Sequence, residues 1–483
     1  MSLRRSLTWT YAAQIFSVVL TFASTIVVAR LVSPRDFGIF AMANALTTII
    51  NVFLQFGLGK YIMREAEVSR DFLRSVFTIN CLLTFVYVAL ILAGALTAGP
   101  LFGSPEVGKF LLVFALSPLI AMFEFIPSTL AARAMRFGLI SAMAVLRAVV
   151  LAAVTILLAL QRAEYMSFAW AQVAAWLATC LLFNLVVWRP DVWKPRLTGA
   201  RDILRFGFDM VGIAGAAQLN NRGGEMILGS LQGLAPLGLY TRASSLPTSL
   251  TSTLFTAGSN VVFSRLSDDL RTRGTIHETY LRFMRMIIGL MWPSLVGIAI
   301  LAQPLILTLY GAKWQPAANP LALLAIAAAA VIGIGMTTEV FVLREENRKQ
   351  VKIEGVRAVL GLALFAAGSS ISLTVAAAAR LLEAVGALLF YFSPMKRLLQ
   401  APKGALRRLY VEAIILTAVA CGPSLALMVA YDFSPQTPLL AICGAILLGA
   451  LLWAALLFSR GHPLADEALR LLRSRRAAAA EAS

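Results

Sequence analysis

Histidine, cysteine and acidic side chains are all scarce in this sequence, and each shortage closes a class of function. Two histidines and four cysteines serve 483 residues. His277 and His462 have no ligand cluster nearby, and no His-based nucleophile arrangement can be assembled around either. Cys81, Cys180, Cys421 and Cys443 all fall inside apolar runs, without the spacing of a zinc site or the pattern of a disulfide framework. No metal site and no cofactor is therefore expected. Gly57-Leu-Gly-Lys60 superficially suggests a phosphate loop, but a true one needs Gly where Leu54 stands and Ser or Thr where Tyr61 stands. Charge is thin overall, at 14% of residues, against roughly 25% in soluble domains.

What fills the chain instead is apolar residues, 59% of the total with mean hydropathy +0.80. A spanning helix needs about 20 mostly apolar residues. Fourteen such runs are read along the whole length: 9–30, 38–59, 75–98, 107–130, 139–160, 166–188, 205–229, 237–262, 282–308, 318–342, 353–371, 373–395, 409–431 and 437–459. The first is too long, and lacks the small-residue cleavage site, to be a removable signal peptide. Only a short Ser-rich step (Ser369, Ser370, Ser372) separates the eleventh run from the twelfth, so one long broken helix is the alternative there. The fold class expected is an all-α integral membrane protein with about 14 transmembrane helices.

The excess of Lys and Arg, net +18, is not spread evenly. Arg4 and Arg5, Lys60 to Arg74, Arg189 to Arg205, Arg265 to Arg285, Arg344 to Lys352, Lys396 to Arg408 and the tail Arg470 to Arg476 fall at the ends or on alternate loops of one side. The opposite loops hold Arg35, Arg162 and Lys313. This is the positive-inside bias. It places both termini in the cytoplasm and accounts for the basic charge without nucleic acid.

A repeat lies hidden at about 200 residues. Leu31 to Leu46 aligns with Leu231 to Leu246, with Leu31/Leu231, Gly38/Gly238, Ala43/Ala243 and Leu46/Leu246 identical. Further on, Leu101-Phe-Gly103 echoes Leu309-Tyr-Gly311, and Leu146-Arg-Ala-Val-Val150 echoes Val356-Arg-Ala-Val-Leu360. A six-helix spacing keeps orientation, so the repeat is parallel about an axis along the membrane normal. The expected organisation is an N-lobe (1–200, helices 1–6), a C-lobe (201–400, helices 7–12) related by a pseudo-two-fold, an appended pair (401–460) and a basic tail (461–483).

Polar residues within spans normally face protein or a water-filled cavity. Thr10, Gln14, Thr21 and Thr25 share one face of helix 1, and Asn44, Asn51 and Gln55 one face of helix 2. Helix 7 stacks Gln218, Arg222 and Glu225. Helix 8 carries Arg242, Ser245, Ser249, Thr253, Thr256 and Asn260. These are the first two helices of each lobe, and together they suggest one central hydrophilic cavity; hydrogen bonding to neighbouring helices or their own backbone is the alternative. Arg30 and Arg242 near outer helix ends, and the repeat-related Arg147 and Arg357 in cytoplasmic halves, either add cations to the path or snorkel to the interface. Arg222 either binds cargo or pairs structurally with Glu225. Cations outnumber acids along this path, which suits an anionic head group such as phosphate. Glu124, Glu339 and Glu383 are candidate proton or ion sites.

The sequence resembles the polysaccharide-export flippases of the multidrug/oligosaccharidyl-lipid/polysaccharide exporter superfamily over most of residues 1–400. The resemblance rests on Ala29-Arg-Leu-Val-Ser-Pro-Arg-Asp-Phe-Gly38, Phe56-Gly-Leu-Gly59, Arg64-Glu65, Asn221-Arg-Gly-Gly-Glu-Met-Ile-Leu-Gly229, Leu237-Gly-Leu-Tyr240, Arg242-Ala243, Pro247 and Phe263-Ser-Arg265. Glu225 stands where the family usually has Asp, and Phe263 where it has Pro. The resemblance implies a flippase of the bacterial cytoplasmic (inner) membrane, with lobes alternating between inward and outward openings. Its implied cargo is an undecaprenyl-pyrophosphate-linked oligosaccharide, moved to the periplasmic leaflet for surface polysaccharide export. Arg222 and Arg242 would bind the pyrophosphate, and Gln14, Asn44, Asn51, Gln55 and Asn260 the sugars. Proton or sodium coupling is implied, as are bilayer lipids and the polysaccharide polymerase and chain-length machinery as partners. A cation-coupled multidrug exporter of the same superfamily is the rival transporter, but would want an acidic cavity. A membrane glycosyltransferase or polymerase is the rival enzyme, but would want a large outward loop that this chain lacks.

Overall fold

The protein is seen in a computed structural model that describes residues 3–52, 58–65, 67–187, 190–196, 222–467 and 469–470, with the side chains of 3–11, 52, 60, 101, 190, 253, 254, 256, 257 and 260 outside that description. Every regular element among the described residues is a helix. The chain divides into two compact units, Met1–Gly238 and Leu239–Ser483. The lobe boundary expected from the sequence is near residue 200, and residues 197–221 are outside the description.

Unit 1 holds α1 (Leu3–Leu31), α2 (Pro34–Val52), α3 (Leu58–Arg64), α4 (Arg70–Phe102), α5 (Pro105–Phe114), α6 (Leu116–Arg133), α7 (Phe137–Leu160) and α8 (Met166–Val186). Residues 222–232 form α9, and α10 (Leu234–Arg273) carries the chain into unit 2. Unit 2 continues with α11 (His277–Ile300), α12 (Ala302–Tyr310), α13 (Ala318–Gly333), α14 (Thr337–Leu343), α15 (Asn347–Ser369), α16 (Leu373–Leu399), α17 (Ala405–Ala430) and α18 (Leu439–Ser459).

Local signals explain where these helices start and stop. Ser69 caps α4 by accepting from the Phe72 amide, and Gly103 ends it with φ +62°. Pro105 sits in the first turn of α5, where its missing N–H costs nothing. Ser372 caps α16 through the Val375 amide, after a turn of only three residues from α15. The eleventh and twelfth runs are thus separate helices of one hairpin rather than a single broken helix. Gly368 lets them meet, since a Cβ there would come within 2.9 Å of the Val375 carbonyl oxygen. Arg133 closes α3 by donating from Nη1 to the carbonyls of Ile62 and Glu65, both at 2.6 Å.

Ten described segments are long and apolar enough to cross a membrane. Three of the fourteen expected runs, on α2, α10 and α15, are not among them: α10 and α15 carry polar and charged side chains, while 38–59, like 205–229, lies partly outside the described residues. Large apolar side chains face outward on the spanning helices, with Leu440 88%, Leu96 81% and Leu389 76% exposed. Such a surface suits hydrocarbon rather than water. Interiors are closed by small residues: a Cβ on Gly449 of α18 would lie 2.1 Å from the Ala420 carbonyl oxygen of α17.

The repeat leaves two physical marks. A Cβ on Gly38 would strike the Leu234 carbonyl oxygen at 1.7 Å, and one on Gly238 the Pro34 carbonyl oxygen at 1.9 Å. Pro34 and Leu234 are related by the same offset as the two glycines, so this crossing has local two-fold symmetry. Gly103 and Gly311, matched in the sequence, each end a helix at positive φ, +62° and +93°.

Candidate functional site

The most developed polar chemistry inside the helices surrounds the repeat-related arginines. α7 begins at Phe137 and α15 at Asn347, so Arg147 and Arg357 each lie ten residues into their helix. A lone arginine at mid-membrane costs about 2.5–3.5 kcal/mol on insertion scales, so each demands partners.

In unit 1, Arg147 Nη2 donates to Glu124 Oε1 at 2.6 Å and to Thr179 Oγ1 at 2.9 Å. Thr179 Oγ1 in turn donates to the other carboxylate oxygen, Oε2, at 2.6 Å. The guanidinium lies 3.6 Å from the centroid of the Trp176 ring. This cation–π contact and the ion pair fix the arginine from two directions. Helices α6, α7 and α8 each contribute to the cluster. It borders a cavity of about 480 Å³ lined in part by Asn51, Asn80, Tyr87 and Ser117. Tyr87 Oη donates to the Thr47 carbonyl at 3.1 Å, tying α4 to α2.

In unit 2 the acids come from elsewhere. Arg357 Nη1 pairs with Glu354 Oε1 at 2.9 Å, one turn earlier on the same helix, and its Nε lies 3.7 Å from Glu383 Oε1. Arg380 Nη1 takes the other Glu383 oxygen at 2.6 Å and stacks over Phe365 at 4.5 Å. Tyr391 Oη donates to Glu354 at 2.5 Å. Gly361 makes room for the Glu383 carboxyl, whose Cδ would lie 2.6 Å from a Cβ there. The bordering cavity is about 210 Å³, with Tyr240, Ser244 and Thr248 on its wall.

The other expected site residues are placed variously. Arg222 Nη1 pairs with Glu225 Oε1 at 2.8 Å, one turn apart on α9, with 34% of the arginine side chain exposed. Arg242 is 2% exposed, its guanidinium lying 5.0 and 5.3 Å from the Tyr310 and Trp314 rings. Arg30, Gln14 and Asn51 are exposed and Asn44 is half-buried. Asn51 lines the unit 1 cavity. Gln55, Gln218 and the Asn260 side chain lie outside the described residues. On α10, Ser245 donates to the Arg242 carbonyl at 2.7 Å, so at least part of that stripe serves its own backbone.

Trp176, Thr179, Asn80, Ser117 and Tyr87 carry the unit 1 site and escaped the sequence reading. Thr179 is 55 residues from its acid. The signal available was the rarity of amides and acids within apolar runs, which marks Asn80 and Glu124 as residues needing an explanation.

A family model described as polysaccharide biosynthesis protein matches residues 27–319, more than half of the chain. The succinoglycan biosynthesis transport protein ExoT of Rhizobium meliloti (strain 1021) is 22% identical over 327 residues, 67% of this chain and 65% of that protein, so the match spans just under two thirds of the relative. An uncharacterised membrane protein in the cps region of Klebsiella pneumoniae is 20% identical over 82% of both chains. Among solved structures, the lipid II flippase MurJ in an inward closed conformation superposes with TM-score 0.72 at 16% identity, covering 94% of this chain and 99% of that one. An inward-facing multidrug resistance transporter of the MATE family gives TM-score 0.59 at 15% identity, covering 81% and 96%. These likenesses establish the fold.

Proposed function

Because the chain belongs to the family of polysaccharide biosynthesis proteins, we propose that it is a flippase for a lipid-linked oligosaccharide. It carries glycan across the bilayer rather than building it. Its cargo is an undecaprenyl-pyrophosphate-linked oligosaccharide, taken from the cytoplasmic to the periplasmic leaflet of the bacterial inner membrane by alternating access. Such a lipid carries a polar, charged head that hydrocarbon rejects, so crossing needs polar groups inside a protein. The observation that carries the reading is that combination: membership of this family, and helices with lipid-suited surfaces that enclose polar, arginine-bearing cavities.

Arg222 is the cation assigned to the pyrophosphate. Its partner Glu225, bound through Nη1, is an acid that a phosphate can replace, since a guanidinium takes either anion by charge-assisted hydrogen bonds. Arg242 is enclosed by Tyr310 and Trp314, and we assign it to holding α10 in place. Gln14, Asn44, Asn51, Gln55 and Asn260 remain proposed contacts to cargo hydroxyls, Gln218 a polar residue of the path, and Arg30 a cation on it. Proton or sodium coupling drives the cycle.

Deleting the gene should abolish surface polysaccharide and leave the lipid-linked intermediate in the cytoplasmic leaflet. Restoring Arg222→Ala should leave the protein in the membrane with export reduced at least tenfold. Undiminished export in the deletion strain would overturn the reading, and full export by the variant would remove Arg222 from it.

A further inference from the structure

The unit 1 cavity holds three hydrogen-bond donors with no partner among the described residues: Asn80 Nδ2 on α4, Ser117 Oγ on α6 and Arg147 Nε on α7. Ser117 is only 1% exposed. Buried polar atoms are ordinarily paired, because an unpaired one has given up water for nothing. Three around one cavity, on three different helices, describe a site whose acceptors come from outside the chain.

The remaining wall narrows what those acceptors belong to. Glu124 and Arg147 neutralise each other, and both carboxylate oxygens are engaged by Arg147 and Thr179. The cavity therefore offers no net charge to recruit an ion. A phosphate would bring an uncompensated negative charge and would have to displace Glu124 from a guanidinium that Thr179 and the Trp176 ring also hold in place. An acyl chain has no acceptors for the three donors. Tyr87, Phe114 and Phe125 add aromatic surface to the same wall. A sugar ring combines these needs, since its hydroxyls accept hydrogen bonds while its C–H faces lie against aromatic rings. The volume of about 480 Å³ lies within the roughly 300–1,000 Å³ typical of small-molecule sites. The unit 2 cavity is less than half that size, about 210 Å³.

We propose that the unit 1 cavity is a subsite for an uncharged sugar ring, bound through Asn80, Ser117 and the Nε edge of Arg147. This rests on the reading of the cargo as a glycan, and adds where and how a sugar unit is held, apart from the cation that takes the pyrophosphate.

The test uses the full chain in detergent micelles, with the neutral oligosaccharide released from the cell's own lipid-linked intermediate by mild acid as probe. Calorimetric titration should give saturable binding to the wild type. Asn80→Ala and Ser117→Ala should each weaken it about tenfold, equivalent to about 1.4 kcal/mol. Quenching of tryptophan fluorescence by the probe should shrink in Trp176→Phe, and inorganic pyrophosphate should not displace the oligosaccharide. Should Asn80→Ala lower the melting temperature, Ser117→Ala, which removes a single oxygen, carries the result. Wild-type affinity in Ser117→Ala, displacement by pyrophosphate, or no binding by the wild type would overturn the subsite. Failure of the transport reading is read separately, as undiminished polysaccharide export in the deletion strain.

Discussion

Arg147 and Arg357 stand at matching positions of the repeat, ten residues into α7 and α15, yet they are held in different ways. Among the described residues, unit 1 gives its arginine a single acid, Glu124 from a neighbouring helix, with Thr179 bridging and Trp176 beneath. Unit 2 gives its arginine two acids, Glu354 and Glu383, and shares the second with another cation, Arg380. The two units share the cation and differ in how it is neutralised. Unit 1 is left with one indispensable pair beside a larger cavity, and unit 2 with a redundant network beside a smaller one. At Gly38 and Gly238, by contrast, the two repeats remain equivalent, each glycine meeting the other's backbone in the same way.

The sharpest way to break this comparison is to remove one acid from each unit. Glu124→Gln should destabilise by about 3 kcal/mol, the low end for breaking a buried pair, because the Arg147 side chain is 31% exposed. Glu354→Gln, whose side chain is 40% exposed and whose arginine keeps Glu383, should cost about 1 kcal/mol or less. Thermal unfolding in micelles compares the two, and equal losses would refute the claim of redundancy.

Next in size is the symmetric crossing. Gly38→Ala forces a methyl into the Leu234 carbonyl and should cost about 1–3 kcal/mol in melting experiments. Gly355→Ala on exposed α15, where nothing lies within 4 Å, should be neutral or stabilise by up to about 1 kcal/mol. Equal effects at the two positions would mean that the crossing does not constrain the fold.

The smallest effect concerns acid sensitivity at the end of unit 2. Burial pushes His462 below the ordinary histidine value, against Glu412 and Asp466, which raise it, and with Arg285, which lowers it further. The folded state thus prefers the neutral ring, and stability is lost as pH falls below the unfolded value of about 6.5, by at most about 1.4 kcal/mol per pH unit. His462→Gln should flatten the melting temperature between pH 7 and pH 5, roughly the window of histidine titration. An unchanged slope would assign that sensitivity to the carboxylates.

Much of the architecture was legible because it is written in period and composition. Apolar runs mark helices, and the described runs are helical, although 107–130, 282–308 and 318–342 each divide into two. The repeat was legible too, since Gly38/Gly238 and Gly103/Gly311 are backbone requirements that few other residues meet. The partners of the arginines were not. Arg222 and Glu225 lie one turn apart and could be paired from spacing, whereas Glu124, Arg147 and Thr179 come from three helices. No linear pattern encodes which helix faces which. Arg242 shows the same limit: its spacing put it on the polar stripe of α10, while the aromatic rings that enclose it lie about 70 residues on, at Tyr310 and Trp314.

The central claim is movement of a lipid-linked oligosaccharide between leaflets, and sidedness in vesicles tests it most directly. The purified chain would be reconstituted with a fluorescent lipid-linked oligosaccharide, and a membrane-impermeant quencher added outside, with and without an imposed proton or sodium gradient. Protein-free vesicles should lose only the outer-leaflet signal, about half. Vesicles with the wild-type chain should lose nearly all of it under at least one gradient, and those with Arg222→Ala should fall back toward half. Loss confined to the outer leaflet with the wild-type chain under every gradient would contradict the account.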